Sequence, residues 1–159
     1  LGVYHVAAVA GGCNNYDGTS EGKTLAQNLA NVDLEIIELG TNDPFDTVGA
    51  VGDATTAGTY YGYLRWVCET YLTAKPTLRL ILVTPQYNSQ AAPGWLMQYS
   101  TAEQIYGNSV GIPVINMWNL GGANAVTATT MLRDGIHPTD FAFANFYGPV
   151  IAQELRRYF

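Results

Sequence analysis

Apolar residues are distributed along this chain in two rhythms: short continuous runs, and longer stretches with apolar positions three or four residues apart. The run from Val3 to Ala10 ends at Gly11-Gly12 and predicts a strand entering a glycine turn. The polar segment from Cys13 to Gly22 predicts a loop. Leu25 and Leu29, four residues apart, predict a short helix over Thr24 to Ala30. Leu34 to Leu39 predicts a second strand, followed by the turn Gly40-Thr41-Asn42-Asp43-Pro44, and a Gly-, Ala- and Thr-rich loop reaches about Thr56. Tyr60, Leu64, Val67 and Tyr71 then recur at helical spacing, and Pro76 limits that helix. Leu78 to Val83 predicts a buried strand stopped before Pro85, and Gln86 to Pro93 a loop. A helix over Leu96 to Asn108, a strand over Pro113 to Met117 and a Gly/Asn loop over Trp118 to Ala125 come next. A short element near Thr127 to Leu132 precedes a last helix over Phe141 to Tyr158, which Pro149 is expected to kink or split.

Strands alternating with helices through short connections predict a parallel sheet covered on both faces, an α/β layer architecture. No repeat, low-complexity tract or linker interrupts residues 1–159, which read as one domain.

Composition narrows the function classes. With 48% hydrophobic and 13% charged residues, the chain has the make-up of a folded globular protein rather than a disordered one. The net charge is −6, and the few cations are scattered apart from Arg156-Arg157. A nucleic-acid partner needs a basic stripe to displace counterions, so none is expected. No apolar run approaches the roughly 20 residues of a membrane span, so no membrane partner is expected either. Nothing in the sequence decides whether Cys13 and Cys68 pair or stay free. No His/Cys/carboxylate cluster has metal-ligand spacing, and neither a metal nor another cofactor is expected.

Three polar clusters stand at or near the carboxyl ends of predicted strands, where open parallel sheets bind ligands. They are Gly11-Gly12, Gly40-Thr41-Asn42-Asp43 and Asp134-Gly135-Ile136-His137-Pro138. Each alone has a bland reading, the second as an Asn/Asp-rich turn and the third as a capped turn with a surface histidine. Their order and spacing together favour a site. Of the two histidines, His5 sits in an apolar strand and reads as structural, leaving His137 for chemistry.

This set resembles the SGNH hydrolases, also called GDSL-like esterases and lipases. The family's GxND block is matched by Gly40-Thr41-Asn42-Asp43, and its DxxHP block, the more specific match, by Asp134-Gly135-Ile136-His137-Pro138. The second-block glycine falls at Gly11, with Gly12 as the alternative. The resemblance implies a three-layer α/β/α, flavodoxin-like fold and hydrolysis of a carboxylic ester through an acyl-serine. It implies that His137 is the general base and that Asp134 orients its imidazole. It also implies that the Asn42 amide and the Gly11 N–H stabilise the oxyanion, where losing one donor costs about 2.7–4 kcal/mol.

The Gly-Asp-Ser block expected with these motifs is absent from the sequence. By the resemblance, the strand leading into it lies centrally in the sheet, between the first two strands of this chain. Its absence is expected to leave two rows of backbone groups unpaired, each costing about 1–3 kcal/mol. An N-terminal segment or partner chain carrying that strand and the serine is therefore an expected partner. Cys13, after Gly11-Gly12, is an alternative nucleophile, but its distance from Gly40 suits the second block better. Ser20 follows no strand and reads as a loop residue. Small esters or O-acetylated carbohydrate are the expected substrates, given polar loops dotted with Tyr87, Trp95 and Trp118. The contrasting reading is a non-catalytic carbohydrate-binding or virion-type structural module, in which those aromatics stack on sugars. A pure binder has no physical need for Asn42, Asp134 and His137 together.

Overall fold

A computed structural model describes the backbone of residues 3–8 and residues 28–43, 47–90 and 93–158. Gly11, Gly12, Cys13 and Ser20 lie outside the described residues, as does most of the helix expected over Thr24 to Ala30; Asn28 and Leu29 at its end are helical.

Among the described residues, four strands form one sheet in chain order: β1 (Val3–Ala8), β2 (Val32–Glu38), β3 (Arg79–Val83) and β4 (Val114–Ile115). Every neighbouring pair is parallel. The connections carry α1 (Tyr60–Ala74) between β2 and β3, and α2 (Pro93–Val110) between β3 and β4. After β4 come the short α3 (Met117–Leu120), α4 (Ala128–Met131) and α5 (Asp140–Ala142), then a π-helical turn (Phe143–Tyr147) and α6 (Gly148–Tyr158).

Alternation along the strands sorts the core into two layers. Ile37, Leu39, Leu80 and Leu82 face Tyr60, Leu64, Val67 and Tyr71 of α1, together with Leu96 and Tyr99 of α2. Leu34, Ile36, Ile81, Val83 and Ile115 pack on the other side with Met117, Met131, Ala142 and Tyr147. With both faces covered, β3 is buried from Leu80 to Val83, as the unbroken apolar run predicts. The result is the three-layer α/β/α arrangement. Among the described residues, no helix is long and apolar enough to cross a membrane.

Helix ends follow local chemistry. Thr59 caps α1 by accepting from the Gly62 N–H at 3.2 Å, and Asp53 accepts from the Thr59 hydroxyl at 2.7 Å. The Lys75 N–H closes the helix on the Tyr71 carbonyl, and Pro76 follows.

Three expectations are corrected. The gap expected between the first two strands is closed: β1 pairs directly with β2, with Tyr4 opposite Leu34 and Ala8 opposite Glu38. Parallel edges that would each leave a row of unpaired backbone groups satisfy one another when apposed. The segment expected as a loop from Trp118 starts as helix, because Asn116 accepts from the Asn119 N–H at 3.1 Å and nucleates one turn. That turn also shortens β4 to two residues. Of the two outcomes expected of Pro149, a kink or a split, the split does not occur. The turn ahead of it widens, with the Gly148 N–H reaching the Phe143 carbonyl, and α6 then continues to Tyr158.

Candidate active site

The Asp134–His137 segment is the tip of a tight loop between α4 and α5. An antiparallel bridge between Leu132 and Pro138 closes its base, and the Arg133 N–H donates to the His137 carbonyl at 2.8 Å. Inside it, Asp134 Oδ1 accepts the N–H groups of Ile136 at 3.0 Å and His137 at 2.8 Å, an Asx turn that folds the backbone over the carboxylate. Gly135 allows this with a φ of +83°, a conformation that side-chain-bearing residues rarely adopt.

Asp134 Oδ2 meets His137 Nδ1 at 2.7 Å. The backbone hydrogen bond from His137, then its ring, then the Ile136 N–H hold the Asp134 carboxyl well below the usual carboxylate range. An ionised carboxylate accepts only, so in the neutral ring Nδ1 carries the proton and Nε2 keeps its lone pair. The side chains are 69% and 48% exposed for His137 and Asp134, so the dyad is open to an incoming group.

The loop after β3 anchors this tip from the side. Gln86 Nε2 donates to the Ile136 carbonyl at 2.6 Å, and the Ser89 N–H to the Gly135 carbonyl at 2.8 Å. Gln90 Nε2 donates to the Asp134 carbonyl.

The second cluster leaves the carboxyl end of β2. Gly40, at φ +95°, starts a turn in which the Asp43 N–H returns to the Gly40 carbonyl at 3.2 Å. A Cβ on Gly40 would stand 2.8 Å from the Tyr60 hydroxyl, so the left-handed conformation and the close floor both demand glycine. Asp43 is buried, whereas Asn42 is exposed.

A cleft of about 570 Å³ is lined by residues of both clusters, Asn42 and Asp43 from the first and Ile136 and His137 from the second. Of the residues expected to form a site, the structure therefore brings together Asn42, His137 and, through His137, Asp134. Gly11 lies outside the described residues. The cleft also takes Glu38, Gln86, Phe143, Tyr147 and Ile151, which motif reading does not mark. Phe143 and Tyr147 of the π-helical turn and Ile151 of α6 stand four apart, a spacing that in sequence signals only a buried face.

Among the described residues no serine or cysteine lines this cleft. Ser89 Oγ is bonded to the Gly135 carbonyl at 3.2 Å. Cys68 is unbridged and buried within α1. Tyr87 and Trp118 lie against each other, ring centroids 5.9 Å apart, and pack on the core as partly buried lids. Trp95 lies 6.4 Å from Tyr99, ring centre to ring centre. None of the three lines the cleft. The described residues hold no group of three or more His, Cys, Asp or Glu side chains placed for a metal ion.

No protein-family model matches the chain, and no curated protein does. Solved structures do match. A possible lipase from Chitinophaga pinensis superposes with a TM-score of 0.67 at 18% identity, covering 84% of this chain and 78% of that one. The native aryl esterase of M. smegmatis gives 0.58 at 18% identity, over 93% and 74% of the two chains. A peptidoglycan O-acetylesterase gives 0.66 at 14% identity, over 84% of this chain and 40% of that one.

Proposed function

We propose that this chain, which has the fold of the SGNH-type hydrolases, supplies the acid–base and oxyanion groups of a carboxylic-ester hydrolase. The observation that carries the reading is the 2.7 Å contact between His137 Nδ1 and an ionised Asp134, beside a cleft that His137 and Asn42 both line. In this reading His137 Nε2 takes the proton of a serine hydroxyl as that oxygen attacks the ester carbonyl. It returns the proton to the departing alcohol, leaving an acyl-serine. Asp134 fixes the ring and stabilises the imidazolium formed on the way. The Asn42 side-chain amide, with the Gly11 N–H, donates to the oxyanion of the tetrahedral intermediate. Water then attacks the acyl group with the same histidine as base.

The serine comes from a segment or partner chain outside this sequence, because no Gly-Asp-Ser block is present in it. O-acetylated carbohydrate is the proposed substrate class. Its support is the O-acetylesterase among the structural neighbours, together with the polar Thr41, Asn42 and Gln86 side chains in a largely apolar cleft lining.

Intact-mass measurement after treatment with a fluorophosphonate tests this reading, since the probe captures activated serines. A phosphonylated species on a longer chain or second fragment supports a serine esterase and locates the nucleophile. An unlabelled mass equal to the 159-residue chain alone overturns it and leaves the binding-module reading.

A further inference from the structure

Beneath the turn that carries Asn42 lies a column of buried polar groups that the ester chemistry does not use. Glu103 of α2 is fully buried, as are Tyr60 of α1 and Tyr99 of α2. The Tyr60 hydroxyl donates to Glu103 Oε1 at 2.5 Å, across 43 residues of chain. The Tyr60 ring stacks on Tyr99 with centroids 4.1 Å apart. Tyr99 in turn donates its hydroxyl to the Asp43 carbonyl. At the other end of the turn, the Tyr60 hydroxyl forms the floor under Gly40, 2.8 Å from where a Cβ would be. Both ends of Gly40–Asp43 thus rest on one stacked pair, and Glu103 accepts from the Tyr60 member of that pair.

A carboxyl group in this place is expensive. Burial raises Glu103 well above the usual carboxylate range, which disfavours its charged form. An apolar side chain of the same size would pack there without that cost. What the carboxyl adds is direction: one acceptor that holds the Tyr60 hydroxyl, and with it the ring, in a single orientation.

We propose that Glu103 is a positioning residue for Asn42, acting through Tyr60 and Tyr99 to hold the turn Gly40–Asp43 in the geometry that presents the Asn42 amide to the cleft. The inference rests on the oxyanion reading of Asn42 for its chemical meaning, but the mechanical link stands on the contacts above.

Amide hydrogen exchange on the full chain tests the link. Glu103→Leu removes the acceptor and should raise exchange at Asn42 and Asp43 about tenfold or more, with the β3 amides unchanged. Glu103→Gln keeps an acceptor for Tyr60 and should restore protection to within about twofold of the parent. Tyr60→Phe, a gentler change should Glu103→Leu fail to fold, cuts the same contact from the other side and should loosen the same turn. Unchanged protection of the turn in Glu103→Leu, or in Tyr60→Phe where only that variant folds, overturns the proposal. So does a uniform loss over the whole sheet, or a failure of Glu103→Gln to rescue.

Hydrolysis of p-nitrophenyl acetate by the serine-bearing species separates the two readings. A loosened turn with lowered kcat and unchanged KM supports both. A loosened turn while Asn42→Ala hydrolyses at the parental rate leaves the link standing and removes the oxyanion role.

Discussion

Asp134 holds His137 at two points: Oδ1 accepts its backbone N–H at 2.8 Å, and Oδ2 meets its ring Nδ1 at 2.7 Å. One carboxylate thereby sets both where the histidine leaves the chain and which way its ring faces. The spacing of three residues is what the double contact requires, since an Asx turn returns the chain to the side chain that began it.

Replacing His137 by Ala removes the proposed base from a side chain that is 69% exposed, so the core is untouched. Turnover by the serine-bearing species should fall about 10⁴-fold or more, with the thermal midpoint nearly unchanged. Asp134→Asn should cost about 10³- to 10⁴-fold, because an amide no longer fixes the tautomer. Steady-state hydrolysis beside a thermal melt checks both, and parental rates in His137→Ala would remove it as the base.

The same carboxylate predicts a pH response. Its folded pKa lies below the ordinary value of 3.8, so folding favours the ionised form. That contribution is whole above the unfolded pKa and is lost as pH falls through the lower folded one. At about pH 3, where an ordinary aspartate is mostly protonated, Asp134 should still be charged and the loop closed. Carbon-13 shifts of the Asp134 carboxyl across the acid range check this, and a midpoint at or above 3.8 contradicts it.

Much of this architecture is legible in sequence because its signals are local. Tyr60, Leu64, Val67 and Tyr71 mark the inward face of α1, and the run from Leu78 to Val83 marks a strand covered on both sides. The Asp134–Pro138 pattern is legible for the same reason, since its hydrogen bonds span only a few residues. The direct pairing of β1 with β2 is not legible, because strand order is set by which edges meet in space. Nor is the proposed support of Asn42 by Glu103, whose links cross 43 and 56 residues and show in sequence only as one acid between Ala102 and Gln104. The helical turn at Trp118 depends on a single capping side chain, Asn116, which Gly and Asn residues nearby disguise as loop.

Gly135→Ala should damage the loop selectively. An alanine at φ +83° costs about 1–2 kcal/mol in backbone strain. Its Cβ would also stand 2.6 Å from Ser89 Oγ, forcing apart the contact that anchors the tip to the loop after β3. Adding Ser89→Ala should recover part of the loss, and a double-mutant cycle by chemical denaturation measures how much. Full additivity would mean that Ser89 is not what the new methyl group meets.

Cys68 should be inert in the native state. Burial pushes its thiol up to about 12, leaving about one thiolate per 10⁴ molecules at pH 8. Iodoacetamide at that pH should therefore leave Cys68 unmodified until denaturant is added, as peptide mass mapping would reveal. Rapid native labelling at Cys68 would show that α1 opens locally far more often than its buried face implies.

Asn42 offers the sharpest separation between catalysis and binding. Its side chain is exposed at the cleft wall, so truncation to Ala creates no cavity. If its amide donates only once charge develops on the oxyanion, kcat should fall about 10²- to 10³-fold while KM stays within about twofold. Asn42→Asp should be worse, because it replaces the donor with a negative charge facing another. A rise in KM at constant kcat would instead make Asn42 a ground-state contact to substrate, and the oxyanion would need another donor. Comparing both variants on p-nitrophenyl acetate, with the labelled serine counted as active sites, distinguishes these outcomes.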